Sequence, residues 1–332
     1  MSALTHVPGH LPDDQEPGPA RTRWRLRGLT WMLARQHRTV LIVCAATTVL
    51  GAAAIIYGRG SMLDSLHAAG WPGKPADAVN STLYSRIGNS LDTYGSNLSF
   101  LPTLFGVFLG APLIAADHEQ GTARLLTTQS VPRERWALAK VAFALSLAAV
   151  TAGTLGALFT WWWRSFASFA AGDWVQGSAF VATGPVLVAA TLFSTAVGFT
   201  VGAAVRRLVP AMAVTFVLSS IAQVVAAEFR DRLATPHRIG YPFGGEFPHI
   251  DRMVQTDQWI GTASGKLYGY GTCVHDADPE ACRADLGIVN SVVEYFSYDQ
   301  MAGMQWIEAG VFLALAAALT GLALWWVRRS PM

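Results

Sequence analysis

Six stretches without a charged residue decide what this chain can fold into. Each is between 18 and 27 residues long, and they cover residues 40–57, 98–116, 141–163, 179–205, 208–227 and 309–327. A helix needs about 20 apolar residues to cross a hydrocarbon core of about 30 Å. The pattern therefore predicts an all-α integral membrane protein, with six transmembrane helices in one domain over residues 40–327.

The composition supports the same class of protein. Hydrophobic residues make up 52% of the 332 residues, and charged residues make up only 14%. Charged residues in soluble domains are about a quarter of the chain. These proportions exclude a soluble enzyme, a disordered chain and a nucleic-acid-binding module.

The residues before the first span divide into two parts. Residues 1–20 are rich in Pro, Gly and acidic side chains, so we expect a disordered tail. Residues 21–38 combine six Arg with Trp and Leu, which predicts a helix lying in the membrane interface. Interfacial anchoring alone would explain that composition.

Charge is divided unequally between the two sides of the predicted membrane domain. With the N-terminus inside, Lys and Arg number 14 inside and 10 outside, whereas Asp and Glu number 6 and 16. The inner side then carries +8 and the outer side −6. Because Lys and Arg close to span ends favour the cytoplasmic side, we expect both termini in the cytoplasm.

The spans lack the groups that a self-powered transporter uses. No Asp, Glu, Lys, Arg or His lies inside the six stretches, and Glu228 and Glu308 fall at their outer edges. Ion-coupled carriers keep such groups at membrane depth. The P-loop pattern GxxxxGK[ST] is also absent from the chain. A solute moved by these helices would therefore take its energy from a separate ATPase subunit.

The loop between the second and third spans carries the most specific pattern. Gly121 and Thr122 interrupt the helix leaving the second span, and Leu125 with Leu126 provides a short apolar face. Pro132 suits the first turn of a new helix. A short helix of this kind fits a groove on another protein. The simpler interpretation is an ordinary positively charged inner loop.

At these residues the chain resembles the permease subunits of ABC-type exporters of the second class, which share the type V exporter fold. The resemblance rests on one set of positions: Glu119, Gly121, Thr122, Leu125, Leu126, Val131, Arg133 and Lys140. The chain departs from the usual pattern at Gln129 to Pro132 and at Asp117-His118. The resemblance extends to the six-span plan, the basic segment before the first span and the large outer loop.

The resemblance implies several roles. Residues 119–129 would be the cytoplasmic coupling helix, and residues 21–38 the elbow helix. The expected contacts with the ATPase are Asp117, Glu119, Gly121, Thr122, Arg124, Leu125, Leu126 and Gln129. The implied partners are two copies of an ATPase that bind ATP and Mg, and a second copy of this permease or a sister permease. Arg outnumbers Lys by 21 to 3, which indicates a GC-rich bacterial gene and hence the bacterial inner membrane.

The outer segment over residues 228–305 is too long for a bare connector and is rich in aromatic residues, so we expect it to fold. The resemblance implies short re-entrant helices and a variable cap. Cys273 and Cys282 lie within it and form either a disulfide or two free thiols. The spacing of its His and Asp residues matches no metal-site pattern.

We therefore expect the membrane-spanning permease subunit of an ATP-driven exporter or efflux system, with no enzymatic activity, cofactor or metal of its own. Two other functions stay open on the sequence. One is a self-sufficient carrier or channel. The other is a membrane-anchored receptor or enzyme that works through its outer loop.

Overall fold

The computed structural model describes residues 35–74, 79–119, 133–169 and 174–329. Six helical segments in this part of the chain are long and apolar enough to cross a membrane, which confirms the predicted number. The predicted tail, nearly all of the elbow segment and residues 120–132 of the loop lie outside the described residues.

The spans are built as follows. The first is α1 (Arg38–Ala68). The second combines α2 (Ser81–Ser99), α3 (Leu101–Phe105), a π-helix (Gly106–Gly110) and α4 (Ala111–Glu119). The third is α5 (Arg133–Phe166), which a 3₁₀ turn (Ala167–Phe169) extends. After the short helix α6 (Ser178–Ala182) come α7 (Val186–Val205) and α8 (Leu208–Glu228) as the fourth and fifth, and α10 (Gln300–Arg329) is the sixth.

Several helices continue past the uncharged stretches. The first span runs to Ala68 rather than residue 57, and the second begins at Ser81 rather than residue 98. Asn80 caps the second span, since its side-chain oxygen accepts a hydrogen bond of 2.8 Å from the Thr82 amide. A count of uncharged residues locates the apolar layer, but it does not show how far each helix continues beyond that layer.

The fourth span differs from the continuous helix predicted over residues 179–205. Helix α6 ends at Ala182 and α7 begins at Val186, separated by Gly184 with φ +65° and Pro185. Proline has no amide hydrogen to donate to the preceding turn and its ring clashes with that turn, so Pro185 begins a helix instead of continuing one, and only glycine adopts this positive φ readily. The chain therefore enters the fourth span through a break.

The segment between α8 and α10 contains a four-stranded antiparallel sheet. A 3₁₀ turn (Arg230–Arg232) precedes β1 (His237–Pro242), β2 (Val254–Thr262), β3 (Leu267–Gly269), the helix α9 (Pro279–Asp285) and β4 (Ile288–Phe296). The strand order is β1-β4-β2-β3. The all-α class is therefore wrong for this segment, in which the resemblance implied short re-entrant helices and a variable cap. β-branched and aromatic residues in β2 and β4 favour strands.

Helix α7 lies at the centre of the bundle and packs against the second span, α5, α8 and α10, whereas α1 packs on α5. Two GxxxG spacings, at residues 106–110 and 198–202, meet where the second span crosses α7. A Cβ on Gly106 would lie 2.6 Å from the Ser194 carbonyl oxygen, and one on Gly198 would collide with the Gly106 oxygen. The glycines thus allow two backbones of one chain to touch.

The helical bundle has two ends, a loop end and a sheet end. The loop end is where α4 ends and α5 begins, next to residues 120–132. The sheet end is the opposite one, where α8 leads into the sheet and α10 leaves it.

Candidate functional site

A buried ion pair lies at the loop end. Asp117 near the end of α4 pairs with Lys140 on the second turn of α5, and their side chains are 11% and 1% exposed. Lys140 Nζ also donates a hydrogen bond of 3.2 Å to the Leu113 carbonyl and lies 4.5 Å from the centre of the Trp136 ring. The ammonium is thus surrounded by acceptors. The second and third spans are consequently joined at the point where the loop leaves them.

The first span reaches the same pair through His37. This residue precedes α1, and its ring lies 5.9 Å from that of Phe143 on α5. Burial lowers the pKa of His37 because it disfavours the charged ring, and the positive charge of Lys140 lowers it further, while Asp117 opposes the shift. His37 is therefore neutral at pH 7.

Glu119 connects the loop to the fifth span. One carboxylate oxygen accepts a hydrogen bond of 2.8 Å from the backbone amide of Leu208, the first residue of α8. The residue before it, Arg207, provides no side-chain cap. A carboxylate at this position satisfies a free amide and interacts favourably with the positive end of the helix dipole. The last turn of α4 therefore holds the α7–α8 hairpin.

The predicted contact residues fall into two groups. Asp117 and Glu119 are described, and both are bound within the bundle, Asp117 buried and Glu119 exposed at its edge. Gly121, Thr122, Arg124, Leu125, Leu126 and Gln129 lie outside the described residues. The partners of Asp117 and Glu119 were not predicted from the sequence. The pairing of Asp117 with Lys140 could have been predicted, because these opposite charges lie close to the two ends of one short loop.

A second buried ion pair lies at the sheet end. Arg230, just after α8, places its Nε 3.1 Å from a carboxylate oxygen of Glu308 on α10, and each side chain is 6% exposed. Arg230 also donates to the Val175 carbonyl at 3.2 Å. Glu308 was expected at the outer edge of the last span. Because α10 begins at Gln300, Glu308 lies in its third turn and is buried.

Gln305, one turn before Glu308, forms hydrogen bonds with the free backbone carbonyls at the break in the fourth span. Its Nε2 donates to the carbonyls of Phe180 and Thr183, at 3.0 and 3.1 Å. The Gly184 amide donates to the Thr160 hydroxyl at 3.2 Å. Irregular backbone at membrane depth needs such protein partners, since lipid tails offer none. The sheet end is thus bound together by α5, α6, α8 and α10.

Between β3 and β4, Cys273 in a turn and Cys282 in α9 form a disulfide with their Cα atoms 5.7 Å apart. Asp276 lies close to both sulfur atoms. The bridge uses both sulfurs, so this group presents no thiolates to a metal ion. Cys44 is buried in α1 as a free thiol.

A family model described as ABC-2 membrane transporter related matches residues 45–230, which is more than half of the chain. The match covers most of the first span and all of the second to fifth spans, with both halves of the Asp117–Lys140 pair and the Glu119–Leu208 contact. It ends before the sheet and the last span. No curated protein and no solved structure matches the chain.

Proposed function

Since the chain belongs to the ABC-2 membrane transporter related family, and is thus a multi-pass ABC transporter permease, we propose that it forms the translocation pathway of an ATP-driven exporter. It would couple to two copies of a separate ATPase subunit, which bind ATP and Mg. We further propose that the loop end faces the cytoplasm of a bacterial cell, as the charge distribution favours.

The observation that carries this proposal is the attachment of the loop base to three spans. A displacement of residues 120–132 would act on the second and third spans through Asp117 and Lys140. It would act on the fifth span through Glu119 and the Leu208 amide. An ATPase that pushes on this loop would therefore shift several spans together, as alternation between two conformations requires.

A second permease copy, or a sister permease, would complete the pathway. Large apolar side chains on α1, α8 and α10 are exposed, including Val209 at 73%, Leu50 at 69% and Val224 at 69%. In a membrane such faces contact either lipid or another helix. The buried helix α7 is then the centre of each half, and the exposed spans are available for pairing.

The test is purification of the tagged chain from its native membranes, followed by reconstitution. We expect an ATPase subunit to co-purify and to hydrolyse ATP faster with the permease than alone. Replacing Leu125 and Leu126 with Ala should reduce that stimulation while insertion into the membrane is unchanged. Recovery of the chain without any ATPase would contradict the proposal.

One observation favours a self-sufficient carrier as the second candidate. Glu308 is an ionisable group buried in the last span, and it is paired with Arg230. Groups of this kind carry the coupling ion in many transporters. Transport by vesicles that contain only this chain, driven by a proton gradient and abolished by Glu308→Gln, would support the carrier over the ATP-driven permease.

A further inference from the structure

A cleft of about 270 Å³ opens at the sheet end of the bundle. It lies between the end of α5, the break joining α6 to α7, and the beginning of α10. Its lining includes Arg164 from α5, Gly184 from the break, and Asp299 and Gln305 from the α10 side, with aromatic walls from Trp163 and Tyr298. The ion pair Arg230–Glu308 is not part of this lining.

The cleft lies at the boundary of the apolar layer. The uncharged stretch of the third span ends at Trp163, and that of the last span begins at Ala309. Trp161 and Trp306 near these two points are 47% and 66% exposed. Exposed Trp side chains at span ends mark the headgroup level of a bilayer. The cleft therefore lies at the depth of the lipid headgroups.

The cleft offers one positive and one negative group on separate elements. Arg164 and Asp299 are both exposed, and among the described residues neither takes part in an ion pair. A hydrogen bond from the Ser297 side chain holds the pKa of Asp299 below its usual value, so this carboxylate is ionised at neutral pH. A ligand with one anionic and one cationic group matches both.

Gln305 adds an acceptor in a fixed orientation. The side chain is 5% exposed, and its Nε2 is held by Phe180 and by both oxygens of Thr183. Its Oε1 accepts no hydrogen bond from the described part of the chain and faces Gly184, where a Cβ would lie only 2.5 Å away. The missing side chain at Gly184 thus keeps this oxygen clear.

We propose that the cleft binds the phosphoethanolamine headgroup of a membrane lipid. The phosphate pairs with Arg164, and the ammonium donates hydrogen bonds to Asp299 and to Gln305 Oε1. The volume is below the range of about 300–1,000 Å³ typical of clefts for drug-sized ligands, which suits a small headgroup with its tails outside. A choline headgroup has no N–H to donate, and a glycerol headgroup has no positive charge.

The test uses the full chain in vesicles that contain equal parts of phosphatidylethanolamine, phosphatidylcholine and phosphatidylglycerol. After extraction in mild detergent, the lipids retained per protein are measured by mass spectrometry. We expect several-fold enrichment of phosphatidylethanolamine over the other two. Arg164→Gln and Asp299→Asn should each abolish most of it, whereas the controls Arg86→Gln and Asp64→Asn, at exposed positions of the same end, should retain it.

A further variant leaves all charges in place. Ala302→Phe, at an exposed position of the lining, narrows the cleft and should also lower the enrichment. Equal retention of the three lipids by the unaltered protein would overturn the proposal. It would also be overturned if Arg164→Gln enriched phosphatidylethanolamine as much as Arg86→Gln does, or Asp299→Asn as much as Asp64→Asn does. Melting temperatures and elution volumes identify any variant that fails to fold. If Arg164→Gln or Asp299→Asn fails to fold, the lipid enrichment of Ala302→Phe tests the proposal instead.

Free phosphoethanolamine separates the two sources of this headgroup. We expect it to displace the lipid only at millimolar concentration, and to raise the melting temperature of the lipid-free protein by less than phosphatidylethanolamine vesicles do. Stabilisation of the lipid-free protein by the free compound, equal to that by phosphatidylethanolamine vesicles, would assign the cleft to a soluble zwitterion and overturn the lipid assignment.

Discussion

Lys140 on α5 and Asp117 on α4 form an ion pair that is almost completely removed from solvent at the base of the 120–132 loop. Such a pair contributes little net stability compared with two apolar residues, but loss of one partner leaves a buried charge. The pair therefore constrains how the two spans are arranged more than it strengthens the fold.

Removing one partner of the Asp117–Lys140 pair should lower the free energy of unfolding, and removing both partners should lower it much less. Lys140→Met leaves the Asp117 carboxylate buried, and we expect a loss of about 3–5 kcal/mol in the free energy of unfolding. The double variant Asp117→Leu/Lys140→Met should recover most of it. Unfolding in mixed detergent micelles measures the difference. Arg238→Met is the control, since Arg238 is 63% exposed in its pair with Glu294 and should cost less than about 1 kcal/mol.

Glu119 should matter for coupling more than for folding. Glu119→Ala removes the cap on α8, which costs about 1 kcal/mol and frees the hairpin from the loop. We expect nearly normal insertion but reduced stimulation of ATP hydrolysis in the reconstituted complex. Glu228→Ala, an exposed position at the other end of α8, is the matched control. Full stimulation with Glu119→Ala would argue against transmission through the Leu208 amide.

The crossing of the second span and α7 should not accept a methyl group. Gly198→Ala places a Cβ against the backbone of Gly106, so the helices must separate, with an expected loss of at least about 1–3 kcal/mol. Gly310→Ala is the control because a Cβ there meets no atom within 4 Å. Melting temperatures of the two purified variants provide the comparison. Equal values would mean that the spans do not cross at these glycines.

Acid should weaken the packing around His37. The pKa of His37 is lowered in the folded chain. The neutral ring therefore contributes fully to stability above pH 6.5, the usual pKa of a histidine, and this contribution decreases as the pH falls below 6.5. His37→Phe keeps an aromatic ring beside Phe143 but does not titrate. Between about pH 8 and about pH 5.5 the melting temperature of the unaltered protein should fall further than that of the variant. Parallel decreases would count against this role.

The disulfide should stabilise the sheet locally. Reduction, or the double change Cys273→Ser/Cys282→Ser, removes a constraint on a short loop, which is worth about 2–3 kcal/mol. Hydrogen exchange in β2 and β4 should accelerate while exchange in the spans does not. Thiol labelling of denatured protein should detect one thiol before reduction, Cys44, and three after it. Three thiols before reduction would show that no bridge forms.

Some features could be predicted from local patterns alone. The number of spans followed from uncharged stretches, because exclusion of charge from hydrocarbon acts on each segment separately. The folding of residues 228–305 followed from their length and aromatic content. The type of structure there did not, since the pairing joins β4 to both β1 and β2, which the order of the chain does not reveal.

The candidate site was likewise predictable only in part. Glu119 and Lys140 belong to the linear motif, and Asp117 stands next to it as a departure from the usual pattern, but the partners of these residues were not predicted. Whether Asp117 meets Lys140, or Glu119 meets the Leu208 amide, depends on which helices are neighbours at the loop end. The burial of Glu308 likewise depends on where α10 begins.

The sequence by itself determined that this chain has six apolar segments and carries a loop motif of ABC permeases between the second and third. Hydrophobic transfer is a property of each segment, so no knowledge of the neighbours was needed. Only the tertiary structure decided which backbones touch at glycine, which charges are paired in the interior and where a cleft remains. Those features depend on distances between residues far apart in the chain, and packing of the whole bundle sets these distances.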